Sequence, residues 1–167
     1  MSMQKPRLAD LNLVYKMHDI MLANGFTATR YKVLDSYPDM IDLDTDNIWP
    51  TVVVEMGPFF GRDVEIGSSQ WPAMMFFIDI LAKTDGQRDD LSYLIWNTLN
   101  EGNFTFYDFN SGFPTIGASV DYSGITTIGQ FVAENLSITP LDPPGLTNID
   151  GEKHHSIIDG IMLLSNN

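Results

Sequence analysis

The chain contains no cysteine, few basic residues and no long apolar run. The absence of cysteine excludes disulfide bonds, thiolate metal ligands and a cysteine nucleophile, and it is compatible with a reducing cytoplasm. No apolar stretch approaches the ~18 residues of a membrane span, and the N-terminal MSMQKPRLAD lacks the apolar region of a secretion signal. We therefore expect a soluble protein that is made in the cytoplasm and has no membrane partner.

Basic residues are too few and too scattered for a nucleic-acid-binding surface. The 167 residues include 9 Lys and Arg against 22 Asp and Glu, a formal net charge of −13, and the pI is near 4.2. Phosphate contacts need clustered cations, whereas those of this chain are spread from Lys5 to Lys153. DNA is therefore expected at most as a passive neighbour.

The chain has enough apolar residues for one globular domain. Apolar residues make up 44% of the sequence and aromatic residues 11%, which fills an ordinary core at this length. We predict a single domain spanning residues 1–167.

The middle of the chain predicts a strand followed by a capped helix. Ala73–Lys83 is a nearly unbroken apolar run, typical of a strand covered on both faces. After turn residues at Thr84–Gln87, Asp89 or Asp90 is expected to begin a helix that Gly102 ends. The apolar stripe of this helix consists of Leu91, Leu94, Ile95, Thr98 and Leu99.

The other elements are predicted from residue type and alternation. Ala9–Asn24 has helical spacing with apolar residues on two faces, so it is expected to pack against two neighbours, one of which is the sheet and the other a further element or a subunit. The predicted strands are Thr27–Tyr37, Ile48–Met56, Arg62–Ile66, a strand around Phe104 and Phe106, Ala118–Tyr122, Gly129–Thr139 and Lys153–Ser165. The predicted connections include a turn at Gly57–Gly61, a loop at Gly67–Pro72 and a long exposed loop at Pro140–Gly151.

Together these elements predict an α/β (α+β) fold with one mixed β-sheet, two main helices and long loops. Their order is α-β-β-β-β-α-β-β-β-β. Along Gly129–Thr139 the core face is expected to carry Val132, Glu134, Leu136 and Ile138, and Gly160 is expected to mark a bulge in the last strand.

No segment carries a recognisable metal or catalytic arrangement. Asp42, Asp44 and Asp46 resemble the start of a calcium loop, but Asn47 stands where its turn glycine belongs and Val53 where its bidentate Glu belongs. His154 and His155 are adjacent in a strand and point to opposite faces, so we interpret them as a surface pair. His18 is predicted to be a hydrogen-bonded core residue.

Two polar segments also have structural interpretations. Gly57–Arg62 lacks the Lys-Ser/Thr pair and following helix of a phosphate loop. Within Gln87–Asp90, the aspartates suit a helix start and Arg88 is expected to pair locally with a carboxylate. We predict no catalytic, metal-binding or cofactor-binding residue.

Aromatic residues beside turns are the best candidates for interaction sites. Trp49, Phe59, Phe60 and Trp71 each flank a Pro or Gly turn instead of lying on a predicted core face. Exposed aromatic residues often anchor protein partners. We therefore predict that these four residues contribute to an assembly interface.

The chain resembles the tail terminator, or tail completion, proteins of long-tailed bacteriophages. The likeness rests on the helix RLADLNLVYKMHDIMLANGF, the strand pair WPTVVVEM and RDVEIGSS, the block FFIDILAKTDGQRDDLSYLIWNTLNEGNFTFYDFN, and the last strand with its preceding HH. It spans most of the chain. The connection after the second helix and its strand is longer than a minimal terminator needs, so another neck, head-completion or minor tail protein is the nearest alternative.

The resemblance implies a structural role without catalysis. Members of the family assemble from α/β subunits into a six-membered ring, a homohexamer that caps the tail tube and joins it to the neck. The implied partners are other copies of the chain, the tail tube protein and the neck or stopper protein, with DNA passing through the channel and the protein located in the virion. The loop with Pro143 and Pro144 and the turns GPFFG and SSQWP are where the resemblance places contacts. Six copies of −13 give −78, a charge that would repel DNA phosphates.

Two other classes of function stay open from the residues alone. One is a small metal-dependent hydrolase that uses Asp79 and nearby carboxylates, and the other is an intracellular binding module that uses its exposed aromatic residues without assembling.

Overall fold

The structure is a computed structural model that describes residues 5–35, 50–62, 71–141 and 154–166. Its helices are α1 (Lys5–Ala23) and α2 (Asp85–Glu101), with a short 3-10 helix at Phe109–Ser111. Its strands are β1 (Lys32–Leu34), β2 (Thr51–Arg62), β3 (Trp71–Ala82), β4 (Asn103–Asp108), β5 (Thr115–Ile116), β6 (Val120–Asp121), β7 (Thr126–Pro140) and β8 (His154–Asn166).

A six-stranded mixed sheet in the order β1-β2-β3-β8-β7-β4 organises the molecule. Only the β1–β2 pair is parallel, and the other described pairs of this sheet are antiparallel. Val54, Ile78 and Ile158 are in register across β2, β3 and β8, and they share one buried cluster with residues of both helices. This confirms the predicted α+β class with two main helices and a mixed sheet.

Helix α1 begins four residues earlier than predicted and is buried on both of its apolar faces. Leu11 and Met21 on one face and Leu13 and Met17 on the other are all buried. The helix packs against β1 and β2 and also contacts β4 and β6. The second apolar face is therefore covered by elements of the same chain and does not need a neighbouring subunit.

A buried asparagine fastens α1 to the far edge of the sheet. The side-chain amide of Asn12 donates to the Tyr107 carbonyl at 2.9 Å, and its oxygen accepts from the Tyr107 N–H at 2.8 Å. Both backbone groups of a β4 residue are satisfied in this way, as buried polar groups require.

None of the described helices is long and apolar enough to cross a membrane.

Helix α2 begins at Asp85 instead of at Asp89 or Asp90, so the predicted start was wrong. The physical reason is the N-cap at Thr84, whose hydroxyl accepts from the Gln87 N–H at 3.2 Å. Gln87 reciprocates by accepting from the Lys83 N–H at 3.0 Å, which resembles a capping box. Gly102 ends the helix as predicted. Leu91, Ile95 and Leu99 form its buried stripe.

The predicted turn at Gly57–Gly61 is part of strand β2. The strand absorbs Gly57 and Pro58 as an irregularity in register between Met56 and Phe59. A Cβ on Gly57 would lie 3.0 Å from the Met75 Cβ, so glycine permits a close approach of β2 and β3 here. A bulge at a sheet edge also tolerates a proline without a backbone N–H. The residues 63–66 of the predicted next strand lie outside the described residues.

The strand predicted at Thr27–Tyr37 is only three residues long within the described part. The Arg30 N–H bonds to the Thr27 carbonyl at 2.8 Å, so residues 27–30 form a turn in spite of their β-rich composition. The loop predicted at Pro140–Gly151 lies outside the described residues from 142 onward.

Strand β7 changes its buried face halfway along its length. Phe131 is buried in the first half, whereas Leu136 and Ile138 pack against the core in the second half. The switch occurs at an irregularity between Glu134 and Ser137, where two residues of β7 face one of β8. The prediction of a single core face was therefore right only for the second half.

Gly160 faces this bulge but does not form one in its own strand. The β3–β8 register runs without interruption through Phe76 and Gly160. A Cβ on Gly160 would lie 2.7 Å from a Leu136 methyl group and 2.9 Å from the Phe76 ring. The glycine is needed because the bulged strand crowds it.

Between Asn110 and β7 the chain forms a small hairpin, in which β6 lies within the predicted strand Ala118–Tyr122 and β5 was not predicted. Strands β5 and β6 pair in a separate two-stranded sheet. The Tyr122 hydroxyl donates to Asp19 of α1 at 3.0 Å, and its ring stacks on Tyr107 with centroids 4.3 Å apart. These contacts fix the hairpin to α1 and β4.

Candidate functional site

The outer edge of β2 is a long unpaired stretch in the described part of the sheet. Strand β1 pairs only with Thr51, Val52 and Val53. From Val54 to Arg62 the edge of β2 that faces away from β3 has no strand partner among the described residues. Such an edge presents unpaired N–H and C=O groups to which another strand can add.

Three large apolar side chains lie exposed at the same end of β2. Phe59 is 48% exposed, Phe60 36% and Met75 37%, and we call them the β2 apolar patch. Phe59 is directly opposite Met74 and Phe60 is opposite Ala73. Directly opposed residues point to the same face of a sheet, so the two phenylalanine rings project from opposite faces. A partner that adds to the β2 edge would therefore meet an aromatic ring on each side.

Of the other predicted interface residues, the structure describes only the backbone of Trp71. Trp49, Pro143 and Pro144 lie outside the described residues. Trp71 begins β3 and pairs with Arg62 at the end of β2. The structure thus brings the backbone of Trp71 close to the strand that carries Phe59 and Phe60.

The adjacent histidines are bonded to different carboxylates. His154 Nδ1 lies 2.5 Å from Asp85 at the start of α2, and His155 Nε2 lies 2.6 Å from Asp79 of β3. Both rings are half-buried. They separate to opposite faces as predicted, but each is held in an ion pair or hydrogen bond and is not a free surface residue.

His18 is hydrogen-bonded, as predicted. Its Nδ1 lies 2.9 Å from the Tyr31 hydroxyl. Burial lowers the pKa of the His18 imidazole to about 4, so the ring is neutral at physiological pH. It therefore serves as a polar contact of α1.

Asp79 was the focus of the metal-dependent hydrolase hypothesis. Its carboxylate is buried in β3 and is bonded to His155. Over the ranges that the structure describes, no three His, Asp or Glu side chains are grouped so that they could hold a metal ion. The calcium-like segment with Asp42, Asp44 and Asp46 lies outside those ranges.

Arg88 pairs locally, as predicted. Its guanidinium lies 2.8 Å from Asp89 and 3.3 Å from Asp85, and the side chain is buried at the start of α2. These bonds stabilise the first turn of the helix.

An acidic cleft at the start of α1 was missed by the sequence interpretation. Pro6, Arg7, Asp10, Asp35, Glu55 and Met56 line it. The only local signal in the sequence is the spacing of Arg7 and Asp10, which places them on one helix face. Asp35 directly follows β1 and Glu55 belongs to β2, and only the sheet brings them to the helix.

Comparison with models of known protein families gives no match to this chain. Comparison with curated proteins likewise gives no significant match.

Proposed function

We propose that the protein is a virion structural protein that forms a ring at the junction of a phage head and tail, as a tail terminator. The observation that supports this most is the uncovered edge of β2 with the β2 apolar patch beside it. Adding a strand from a second protein would pair the backbone groups that no described strand bonds and bury both phenylalanine rings. The resemblance in the helix, strand and loop pattern supplies the rest of the proposal.

A ring follows if the edge of one copy contacts a different surface on the next. Such a contact is heterologous, and repeated rotation by the same angle closes it into a ring. The proposed partners are a second copy of the chain, the tail tube protein and the neck or stopper protein, with DNA as passing cargo. Another neck or minor tail protein would use the same surface, and the partner it binds would distinguish the two.

The proposal is tested by measuring the mass of the protein in solution, alone and with tail tubes. Size-exclusion chromatography with light scattering should give a hexamer-sized species, alone or after mixing with tubes. Phe60→Lys should weaken this association by roughly tenfold or more, because lysine on a strand edge opposes pairing and a central aromatic contact is lost.

Tyr93→Lys provides the matched control. Tyr93 is 62% exposed on α2, away from the β2 edge, so its replacement should leave the mass unchanged. A protein that stays monomeric at high concentration and also in the presence of tail tubes would contradict the proposed function.

A further inference from the structure

The acidic cleft contains a buried carboxylate oxygen that has no hydrogen-bond partner among the described residues. Asp10 is 8% exposed, and its Oδ2 is bonded to Arg7. Its Oδ1 makes no hydrogen bond within the described part of the chain. Leaving a buried acceptor unsatisfied is costly. Asp10 lines the cleft, so a donor that enters the cleft can reach this region.

The cleft carries more negative than positive charge. Arg7 also bonds Asp35, with Nη2 2.7 Å from Oδ2, and Glu55 is a further carboxylate of the lining. The described lining thus contains three carboxylates and one guanidinium. Burial raises the pKa of the Asp10 carboxyl to about 6, and the charge of Arg7 opposes this rise. An additional cation would stabilise the ionised form.

Two cations lie at the other end of the molecule. Arg30 and Lys83 are exposed, and neither forms an ion pair with another residue that the structure describes. Both are near Gln87, which borders a shallow pocket with Arg30 and accepts a hydrogen bond from the Lys83 N–H. The same pocket includes Asn24 at the end of α1.

Helix α1 separates the acidic cleft from these cations. The cleft contains Asp10 and the pocket contains Asn24, and at 1.5 Å per residue these positions are about 20 Å apart along the helix. Arg30 and Lys83 therefore lie outside the cleft of their own chain, whose described lining has Arg7 as its cation. A second copy placed head to tail can bring its own Arg30 and Lys83 to the cleft.

We infer that the acidic cleft of Asp10, Asp35 and Glu55 receives the Arg30 end of a second copy of this chain, with Lys83 beside it. The inference rests on the proposed ring and specifies one of its contacts. The cleft is continuous with the β2 edge, since Glu55 and Met56 belong to the part of β2 that β1 leaves uncovered. The same neighbour would thus approach the strand edge and the cleft together. Complementary charges at such a contact fix the register and exclude wrong orientations.

Charge reversal tests the contact by sedimentation velocity at low salt. Glu55→Lys places a cation in the cleft and removes its net negative charge, and Arg30→Glu places an anion at the opposite end. Each variant alone should associate at least about tenfold more weakly than the unaltered chain, because like charges then face each other. Asp90→Lys is the matched control, since Asp90 is exposed on α2 away from both surfaces, and it should associate normally.

An equimolar mixture of the two reversed variants gives the decisive result. In alternating order, the lysine introduced by Glu55→Lys meets the glutamate introduced by Arg30→Glu, and the unaltered cleft of Arg30→Glu meets the intact Arg30 of the other variant. The mixture should therefore assemble in a one-to-one ratio although neither variant does so alone. This recovery also shows that both variants are folded.

The outcomes separate the contact from the proposed ring. If the unaltered chain forms a ring and both reversals associate like Asp90→Lys, the head-to-tail contact is overturned and the ring stands. If both reversals weaken assembly but the mixture fails to recover it, the pairing of these two surfaces is also overturned. If the unaltered chain never associates, even with tail tubes, the ring and the contact fail together.

Discussion

At the scale of single residues, Asp10 and His18 on α1 respond to pH in opposite directions. Burial raises the pKa of Asp10 to about 6 from its usual 3.8, and it lowers the pKa of His18 to about 4 from its usual 6.5. The folded state holds the Asp10 proton more tightly than the unfolded chain, so its contribution to stability is lost as the pH rises from about 4 to about 6. The folded state holds the His18 proton less tightly, so the contribution of His18 to stability is lost as the pH falls from 6.5 to about 4.

Replacing Asp10 with asparagine should therefore change the free energy of unfolding in a pH-dependent way. Near pH 4 the wild-type carboxyl is protonated in the fold, so Asp10→Asn should have nearly the same free energy of unfolding as wild type. Above pH 6 the variant should be more stable relative to wild type, by on the order of 1 kcal/mol, since solvent around the exposed Arg7 partner screens part of the effect. Urea unfolding at a series of pH values measures the difference.

The comparison of variant with wild type isolates Asp10 because His18 is present in both. Asp90→Asn controls for the loss of one negative charge from an exposed position. A variant whose relative stability is the same at pH 4 and pH 7 would contradict the role assigned to burial of Asp10. The other charged groups that line the cleft, Arg7, Asp35 and Glu55, stay unchanged in this test.

At the scale of elements, the bulge in β7 decides which side chains enter the core. Asn135 has a φ of 54°, in the left-handed region that asparagine tolerates better than most residues. Ile161 is paired with Glu134 and Asp159 with Ser137, so Asn135 and Leu136 together face Gly160. The extra residue reverses the alternation, and Phe131 and Leu136 both reach the core although they are five positions apart.

Substitutions at Asn135 should separate backbone strain from side-chain contacts. Asn135→Val should lower the free energy of unfolding by about 1–2 kcal/mol, because a β-branched residue is strained at this φ. Asn135→Gly should leave the free energy of unfolding unchanged or raise it slightly, since glycine adopts the same conformation without strain. Thr139→Val, at an exposed extended position of the same strand, should be within about 0.5 kcal/mol of wild type.

Chemical denaturation of the three variants measures these differences. Equal destabilisation by Val and Gly would show that the Asn135 side chain, and not its backbone conformation, stabilises the bulge. A neutral Val substitution would show that the chain can shift its register without cost.

Elements with a strong local signal were predictable from sequence, and those set by distant contacts were not. The strand β3 was predicted because its apolar run continues over many residues, and the buried stripe of α2 was predicted because its apolar residues recur over several helical turns. Gly57 and Pro58 predicted a turn, but pairing with β3 overrode their local preference and extended β2 through them. The β7 bulge depends on crowding against Gly160, which alternation within one strand does not reveal.

The same distinction applies to the candidate surfaces. Phe59 and Phe60 were selected from sequence as aromatic residues in a turn, and the structure leaves them exposed although on a strand. The acidic cleft combines residues of α1 and β2 with Asp35, which follows β1. Its members are separated by up to 50 positions, from Pro6 to Met56, and only the fold brings them together.

At the scale of the whole molecule, the net charge constrains how the protein can treat DNA. Each chain carries −13, and a proposed ring of six copies of −13 carries −78. Proteins that hold DNA nonspecifically do so by placing Lys and Arg against phosphates and releasing counterions. An acidic ring would instead repel the duplex on all sides, so that a genome passing through its channel is not retained.

The protein should therefore fail to bind DNA even when salt is low. In an electrophoretic mobility assay at about 50 mM salt, duplex DNA should run unretarded with the protein at up to about 10 μM, a concentration at which basic DNA-binding proteins begin to associate nonspecifically. The assay should include the assembled form, because a ring lumen exists only there. A retarded band that disappears as salt is raised would reveal clustered cations facing the DNA, and it would contradict a repulsive channel. DNA should also run unretarded with the assembled ring and with Asp90→Lys. This result would agree with a channel whose negative charge comes from many residues and does not depend on Asp90 alone.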